Sequence, residues 1–274
     1  MSRPAITRAY QRGHRSATDQ STSRYLELMK RGLMNWLYRD MANTTLGREP
    51  RDDGKPWRGD NTVAWREPCH SMAGFKRLDN VQFCVEDVLV HGVPGDVIET
   101  GVWRGGSTIL MRAVLAAYGV TDRRVWVADS FEGLPPPNST DYPSDEGVDL
   151  RLYPELSVSL EQVQSYFERY DLLDGQVRFL KGWFRDTLPT APIDQLAVIR
   201  LDGDLYESTM DALVHLYPKL SVGGYLIVDD YGALLPCREA VHDYRAAHDI
   251  HDVLVPIDWT GAYWQRSDAG GPRP

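Results

Sequence analysis

Two aspartates flank one glycine where an apolar run ends, in "VIRLDGDLYES" at residues 198–208. Burying ionised carboxylates is expensive unless something pairs with them, so Asp202 and Asp204 point to a cation, a ligand or solvent at that place. Asp and Gly are also ordinary turn residues, so the stretch needs support from elsewhere in the chain. A helical segment follows, and then "GGYLIVDDY", a second apolar run that ends in Asp229-Asp230. A strand–helix–strand crossover is right-handed and commonly sets its two strands side by side. Neighbouring parallel strands lie about 4.8 Å apart, so Asp202, Asp229 and Asp230 can meet over the sheet edge. Converging carboxylates repel one another without a counter-cation. An all-oxygen set of this hardness suits Mg²⁺, Mn²⁺ or Ca²⁺ rather than Zn²⁺. Asp204 is expected to turn outward or to cap the next helix.

Two more strand ends carry polar groups. "ETGVWRGGST" (99–108) closes one strand with Glu99 and Gly101 and opens a helix with Gly105-Gly106. Glycines there let a ligand approach the backbone, and the helix N-terminus offers free N–H groups. The dinucleotide fingerprint G-x-G-x-x-G is not met, because Val102-Trp103-Arg104 intervene, and this argues against a nicotinamide dinucleotide. In "VWVADSF", Asp129 ends a strand 28 residues after Gly101, where an acidic residue can accept both hydroxyls of an adenosine ribose. No Walker A sequence and no G-x-S-x-G is present. An adenosine pocket beside a hard-cation site, with no hydride or phosphate motif, suits methyl transfer from S-adenosylmethionine to a hydroxyl. A divalent cation can stabilise the developing alkoxide and a carboxylate can take the proton.

These residues need a scaffold, and the pattern from residue 95 onward supplies one. "GDVIET", "RRVWVADSF", "QVRFLKGW", "PIDQLAVIRLD" and "GGYLIVDD" read as strands, alternating with helical stretches such as "GGSTILMRAVLAAYG" and "YESTMDALVHLYPKL". That alternation predicts an α/β doubly wound, mostly parallel sheet. "SVSLEQVQSYFERYDLL" carries a capping box at Ser159–Gln162, or one displaced to Ser157. "HDVLVPIDW" and "GAYWQRS", either side of a Thr-Gly turn, predict a terminal antiparallel pair. Residues 132–156 form a long Pro-, Asp- and Ser-rich loop, which is either a wall of the site or disordered.

Ahead of the sheet, residues 23–40 place Tyr25, Leu28, Met29, Leu33, Trp36 and Leu37 at helical spacing. Residues 46–68, with Trp57 and Trp65, read as a long loop or flap, and 71–92 as two short helical segments. The expected organisation is therefore a basic tail (1–22), a helical arm and lid (23–92), the main domain (93–268) and a short tail (269–274).

The 274 residues carry a net charge of −9, which excludes nucleic-acid binding through a basic surface. The charge is uneven: residues 1–60 hold 12 Lys/Arg against 7 Asp/Glu, and the remainder 18 against 32. Three widely spaced cysteines (Cys69, Cys84, Cys237) have no metal-site spacing and fit a reducing compartment. The first 24 residues have no apolar core of a secretory signal, and no run of 18 apolar residues exists, so a cytoplasmic protein without membrane spans is expected.

"GDVIETGVWRGGST", "ADSFEGLP", "VRFLKGWFRDTLP", "RLDGDLYEST", "GGYLIVDDYG" and "YLELMKRGLMNWLYRD" closely resemble the macrocin O-methyltransferase family, in the right order over most of the chain. The resemblance implies the class I methyltransferase (Rossmann-like) fold, a seven-stranded sheet with the last strand antiparallel. It implies an S-adenosylmethionine- and Mg²⁺-dependent enzyme that methylates sugar hydroxyls of secondary metabolites and releases S-adenosylhomocysteine. Glu99, Thr100 and Gly101 would line the methionine part of the cofactor, with Ser107 near its carboxylate. Asp129 would hold the ribose, Ser130 and the Gly182-Trp183 turn would border the adenine, and Met72 would close over the cofactor. Asp202, Asp229 and Asp230 would bind the metal, with Asp202 also the general base. The arm and the 132–156 loop would cover a small glycoside acceptor, and a homo-oligomer, a dimer or multiple of dimers, is implied.

Two readings compete. Asp202-Gly203-Asp204 is a D-x-D that could bind a metal–nucleotide-sugar in a glycosyltransferase, though Asp229-Asp230 and the 99–106 loop have no evident task there. A non-catalytic adenosyl-ligand binder would keep the fold and lose the reaction. His70 and His251 stay outside the set, since a lone histidine is more often structural.

Overall fold

The computed structural model describes residues 20–38 and 69–267. Residues 1–19 of the expected 1–22 tail, the 269–274 tail and the 46–68 segment with Trp57 and Trp65 lie outside the described residues, while residues 20–22 of that tail open a helix. Seven strands form one sheet: β1 (Asp96–Thr100), β2 (Val125–Asp129), β3 (Val177–Lys181), β4 (Leu196–Leu201), β5 (Leu220–Val228), β6 (Val255–Pro256) and β7 (Ala262–Gln265). Their spatial order is β3-β2-β1-β4-β5-β7-β6. The first five pair in parallel, and β7 runs antiparallel between β5 and β6.

The central strands are apolar on both faces, as a doubly covered parallel sheet requires. Alternation decides which residue goes where. Val97, Val125, Val127 and Val198 join the core that also buries Leu26, Leu78, Val81, Ile109 and Phe167. Ile98, Trp126, Ala128 and Ile199 face the opposite core, with Leu213, Val241 and Trp264.

The helices on the first face are α1 (Gln20–Leu33), α2 (Gly74–Val90), α3 (Gly106–Ala117) and α4 (Leu160–Arg169). The short α5 (Phe184–Thr187) follows β3, and α6 (Tyr206–Leu216) and α7 (Leu235–Ala247) cover the second face. The capping box of α4 sits at Ser159: its Oγ accepts the Gln162 N–H at 3.3 Å, and Gln162 Oε1 accepts the Ser159 N–H at 3.0 Å. Among the described residues no helix is long and apolar enough to cross a membrane.

Two local expectations fail for physical reasons. The 23–40 helix stops at Leu33, because Asn35 takes a positive φ of 54° and the chain continues as a single 3₁₀ turn at Trp36–Tyr38. The two short segments expected in 71–92 are one 17-residue helix, α2, whose Leu78, Val81, Val85 and Val88 keep one apolar stripe across the expected break. Helix α1 is bound to this scaffold by the buried Lys30, whose Nζ donates to Asp79 of α2 and to Glu27 at 2.6 Å.

The strand order reverses between β1 and β4, because the chain runs outward through β2 and β3 before returning to β4. Such a switch point opens a crevice at the carboxyl ends of the strands. The 132–156 segment leaves β2 at that edge as three single 3₁₀ turns, Pro143–Asp145, Leu150–Leu152 and Pro154–Leu156.

Candidate active site

A cavity of about 870 Å³ opens over the carboxyl ends of β1, β2, β4 and β5. Glu99, Gly101 and Ser107 line it from the β1–α3 loop, and Asp129 and Ser130 from the end of β2. Gly182 and Trp183 line it from the end of β3, Asp202, Asp229 and Asp230 from β4 and β5, and Met72 from the segment before α2. Thr100 is the exception among the expected residues. It is fully buried outside the cavity, and its carbonyl accepts the Asp202 N–H at 2.9 Å. Leu134, Pro135, Leu150 and Leu156 of the 132–156 segment form part of the wall.

The glycines after β1 are demanded first by the chain itself. A Cβ on Gly101, which has φ +80°, would stand 1.8 Å from the carbonyl oxygen of Asp202. A Cβ on Gly106 would meet the His70 carbonyl at 2.3 Å, because residues 70–71 cross the start of α3. Between them, Trp103 Nε1 donates to Glu155 O at 2.9 Å and Arg104 Nη1 donates to Cys69 O at 2.8 Å. The bulky pair that breaks the dinucleotide fingerprint thus ties down the two segments that border the cavity.

Asp129 is fixed before any ligand arrives. Its Oδ2 accepts the Val102 N–H and its Oδ1 the Phe131 N–H, each at 2.7 Å. Burial pushes its carboxyl up, and these backbone donors oppose the shift. Ser130 Oγ donates to Gly133 O at 2.6 Å and accepts the Glu132 N–H, so this hydroxyl shapes the turn.

The carboxylates at β4 and β5 divide into two groups. Arg200, buried in β4, donates from Nη1 to Glu99 and, at 2.7 Å, to Asp202 Oδ2, and from Nη2 to Asp229 Oδ1. Arg77 of α2 donates to Asp229 Oδ2 and to Met72 O, and its Nε lies 3.3 Å from Asp258 Oδ2. Both oxygens of Asp229 are therefore held by guanidinium groups. Burial would raise its carboxyl, but Arg200 and Arg77 outweigh that and hold it below the ordinary range. Glu99 gives the opposite balance: burial lifts it to about 7 against Arg200 and Thr108, whose Oγ1 donates to its Oε2.

The second group is Asp202, Asp204 and Asp230. One carboxylate oxygen of each lies within 4.8 Å of the other two. Burial and the charge of Asp202 push Asp204 up to about 7, and burial with Asp204 and Asp202 raises Asp230 well above the usual range. Among the described residues, the buried Asp230 Oδ2 has no hydrogen-bond partner. Three converging oxygen donors, one of them orphaned among the described residues, fit a hard divalent cation. The structure thus groups Asp204 with Asp202 and Asp230, where the sequence pattern grouped Asp229. Asp204 neither turns outward nor caps a helix: it sits at φ +60°, and Leu205 holds the N-cap position.

Of the two histidines set aside, His251 is exposed beside Asp249. His70 lines the cavity, with Nδ1 2.9 Å from the Tyr170 hydroxyl and its ring 4.5 Å from that of Tyr166. Burial, with Arg169 and Arg104 nearby, lowers it to about 4. Sequence reasoning missed Arg77 and Arg200. For Arg200 a signal existed, since it precedes Asp202 by two residues and shares its face of the strand. No local signal marks Arg77.

The family described as Macrocin-O-methyltransferase (TylF) matches residues 22–266. The chain is 52% identical over 259 residues to demethyldecarbamoylnovobiocin O-methyltransferase of Streptomyces niveus, covering 91% of this chain and 96% of that one. It is 54% identical over 255 residues to 8-demethyl-8-(2,3-dimethoxy-alpha-L-rhamnosyl)-tetracenomycin-C 4'-O-methyltransferase of Streptomyces olivaceus, covering 92% and 96%. Among solved structures, the O-methyltransferase NovP superposes with a TM-score of 0.81 at 54% identity, over 90% of this chain and 99% of that one.

Proposed function

Because the chain belongs to the macrocin O-methyltransferase family and is an S-adenosylmethionine-dependent O-methyltransferase, we propose that it methylates a sugar hydroxyl of a glycosylated secondary metabolite with the help of a divalent cation. The observation that carries this reading is one cavity shared by the 99–107 loop, Asp129 and the Asp202–Asp204–Asp230 cluster. The relatives named above act, by their names, on demethyldecarbamoylnovobiocin and on a rhamnosyl tetracenomycin. Family membership leaves the glycosyltransferase reading of Asp202-Gly203-Asp204 without support.

The cofactor presents its methyl group on a positively charged sulfur. Among the residues lining the cavity, Glu99, Gly101 and Ser107 would hold the cofactor's amino-acid end, Asp129 its ribose, Ser130, Gly182 and Trp183 its adenine, and Met72 would close over it. The N–H groups at the start of α3 suit a carboxylate there. Asp202, Asp204 and Asp230 would hold Mg²⁺, which would stabilise negative charge developing on the acceptor oxygen. Arg200 occupies one oxygen of Asp202, and Asp202 serves as the general base that accepts the hydroxyl proton. Asp229, held by two arginines, positions its neighbours. The remaining catalytic effect is alignment of oxygen, carbon and sulfur within walls that exclude water.

The enzyme is further proposed to act in the cytoplasm as a homo-oligomer, to be checked by light scattering. The deciding experiment incubates it with S-adenosylmethionine and a panel of deoxysugar-bearing natural products, beginning with demethyldecarbamoylnovobiocin, in Mg²⁺ and in EDTA. Mass spectrometry reads addition of one methyl group to the sugar. Turnover that is unaffected by EDTA sinks the cation role, and methylation on the aglycone alone sinks the sugar assignment.

A further inference from the structure

Helix α6 begins without a cap from its own sequence, since Leu205 at the N-cap supplies no side-chain acceptor. The first amides of a helix need partners from outside it. The Tyr206 N–H finds one in Asp145 Oδ1, at 2.8 Å and 61 residues away. Asp145 belongs to the 132–156 wall and is fully buried. Its own N–H donates to Tyr142 O at 2.9 Å, and its carbonyl accepts the Val148 N–H at 3.1 Å. The Tyr142 ring stacks on Tyr206 with centroids 5.2 Å apart, and the Tyr206 hydroxyl donates to Asp243 of α7 at 2.8 Å.

A capping aspartate donated from another segment has a consequence at the cavity. The sequence pattern offers Asp204, one residue before the N-cap Leu205, as a cap for α6, yet Asp204 takes φ +60° and brings a carboxylate oxygen within 4.8 Å of those of Asp202 and Asp230. An aspartate cannot accept amides at a helix start and face that cluster together. We propose that Asp145 is a positioning residue of the methyl-transfer site. It caps α6 in place of Asp204, releases Asp204 to the acidic cluster, and fixes the cavity wall and the 202–204 turn in one register. Leu150 and Leu156 of the same wall line the cavity, so the acceptor's surroundings and the acidic turn share one anchor.

The inference extends the cation-assisted reading above, and two measurements keep the two apart. Hydrogen exchange is followed by mass spectrometry in peptides spanning 140–150 and 202–210, and Mn²⁺ is titrated into the enzyme without substrates. Asp145→Ala is expected to speed exchange in both segments together and to weaken Mn²⁺ binding, each by about fivefold or more, the scale of a lost cap. Asp145→Asn, which keeps the acceptor oxygen, restores both. Ser159→Ala removes the cap of α4 as a stability control and leaves both unchanged. Asp145→Glu, with its oxygen displaced along a longer arm, replaces the alanine variant if that does not fold. Exchange at 202–210 and Mn²⁺ affinity both at wild-type levels in Asp145→Ala would overturn the proposal. If the wild-type enzyme binds no Mn²⁺, the cation reading fails, and the exchange of 202–210 alone decides the role of Asp145.

Discussion

Arg200 Nη1 lies 2.7 Å from Asp202 Oδ2, and the same guanidinium also holds Glu99 and Asp229. One buried cation thus serves three carboxylates from three different strand ends. Removing it leaves uncompensated negative charge away from water, so Arg200→Met is expected to cost about 3–5 kcal/mol of stability in urea unfolding. Arg200→Lys keeps the charge but not the planar fork, and is expected to fall between the two. A variant as stable as wild type would mean that the three carboxylates are neutral in the folded protein.

Asp202→Asn keeps an oxygen for Arg200 and removes the basic carboxylate. Turnover should drop by about 10²- to 10⁴-fold, while calorimetry finds S-adenosylhomocysteine binding intact. Near-normal turnover would pass the role of base to another carboxylate of the cluster.

Stripping divalent ions with EDTA should abolish methyl transfer, and added Mg²⁺ should restore it. The thermal midpoint should rise with added Mg²⁺ even without acceptor, because an ion that binds only the folded cluster stabilises it. A midpoint indifferent to Mg²⁺, Mn²⁺ and Ca²⁺ would argue that Asp202, Asp204 and Asp230 share protons instead.

Gly101→Ala and Gly119→Ala make a controlled pair. Both glycines have positive φ, but a Cβ at Gly119 meets nothing within 4 Å among the described residues, whereas at Gly101 it collides with Asp202 O. Gly119→Ala should cost about 1–2 kcal/mol from backbone strain and leave turnover unchanged. Gly101→Ala should cost more and displace the Asp202 backbone, with loss of turnover. Equal effects of the two changes would show that the approach of β1 to β4 is looser than described.

His70 sets a pH dependence with a definite sign. Its folded pKa is lowered to about 4 from the ordinary 6.5, chiefly by burial. The unfolded chain therefore takes up the proton first, and the stabilising contribution is complete above about pH 6.5 and lost as pH falls toward 4. Thermal melts should fall more steeply over that window for wild type than for His70→Gln. Parallel slopes would mean that His70 is exposed enough to titrate normally.

The alternation of strands and helices was legible because each element carries its own period, as Val97-Ile98 and Val125–Ala128 do in dividing between two cores. The site was legible where carboxylates stand at strand ends, as Glu99, Asp129, Asp202 and Asp230 do. It was illegible where a partner comes from far along the chain. Local rules gave Asp204 a capping task that Asp145 performs from 61 residues upstream. They also gave Asp229 the same role as Asp230, because nothing in "IVDD" reveals that Arg77 and Arg200 converge on the first of the two. The end of α1 was misjudged because Met34, Trp36 and Leu37 continue the apolar pattern past the turn at Asn35.

The side-by-side placement of β1 and β4 bears on how the enzyme comes into being. Glu99 and Arg200 are 101 residues apart in the chain, and their pairing closes a loop that contains β2, β3 and the whole 132–156 wall. Loop-closure entropy and high contact order make such long-range strand pairing slow compared with the local helices. Until it happens, Glu99 and Asp202 belong to separate, solvated stretches of chain, and neither cofactor nor cation has a place to bind. Catalytic competence is therefore expected late in folding, and a nascent chain carries no complete active centre until the ribosome has released β5 and the Asp229-Asp230 pair that follows it.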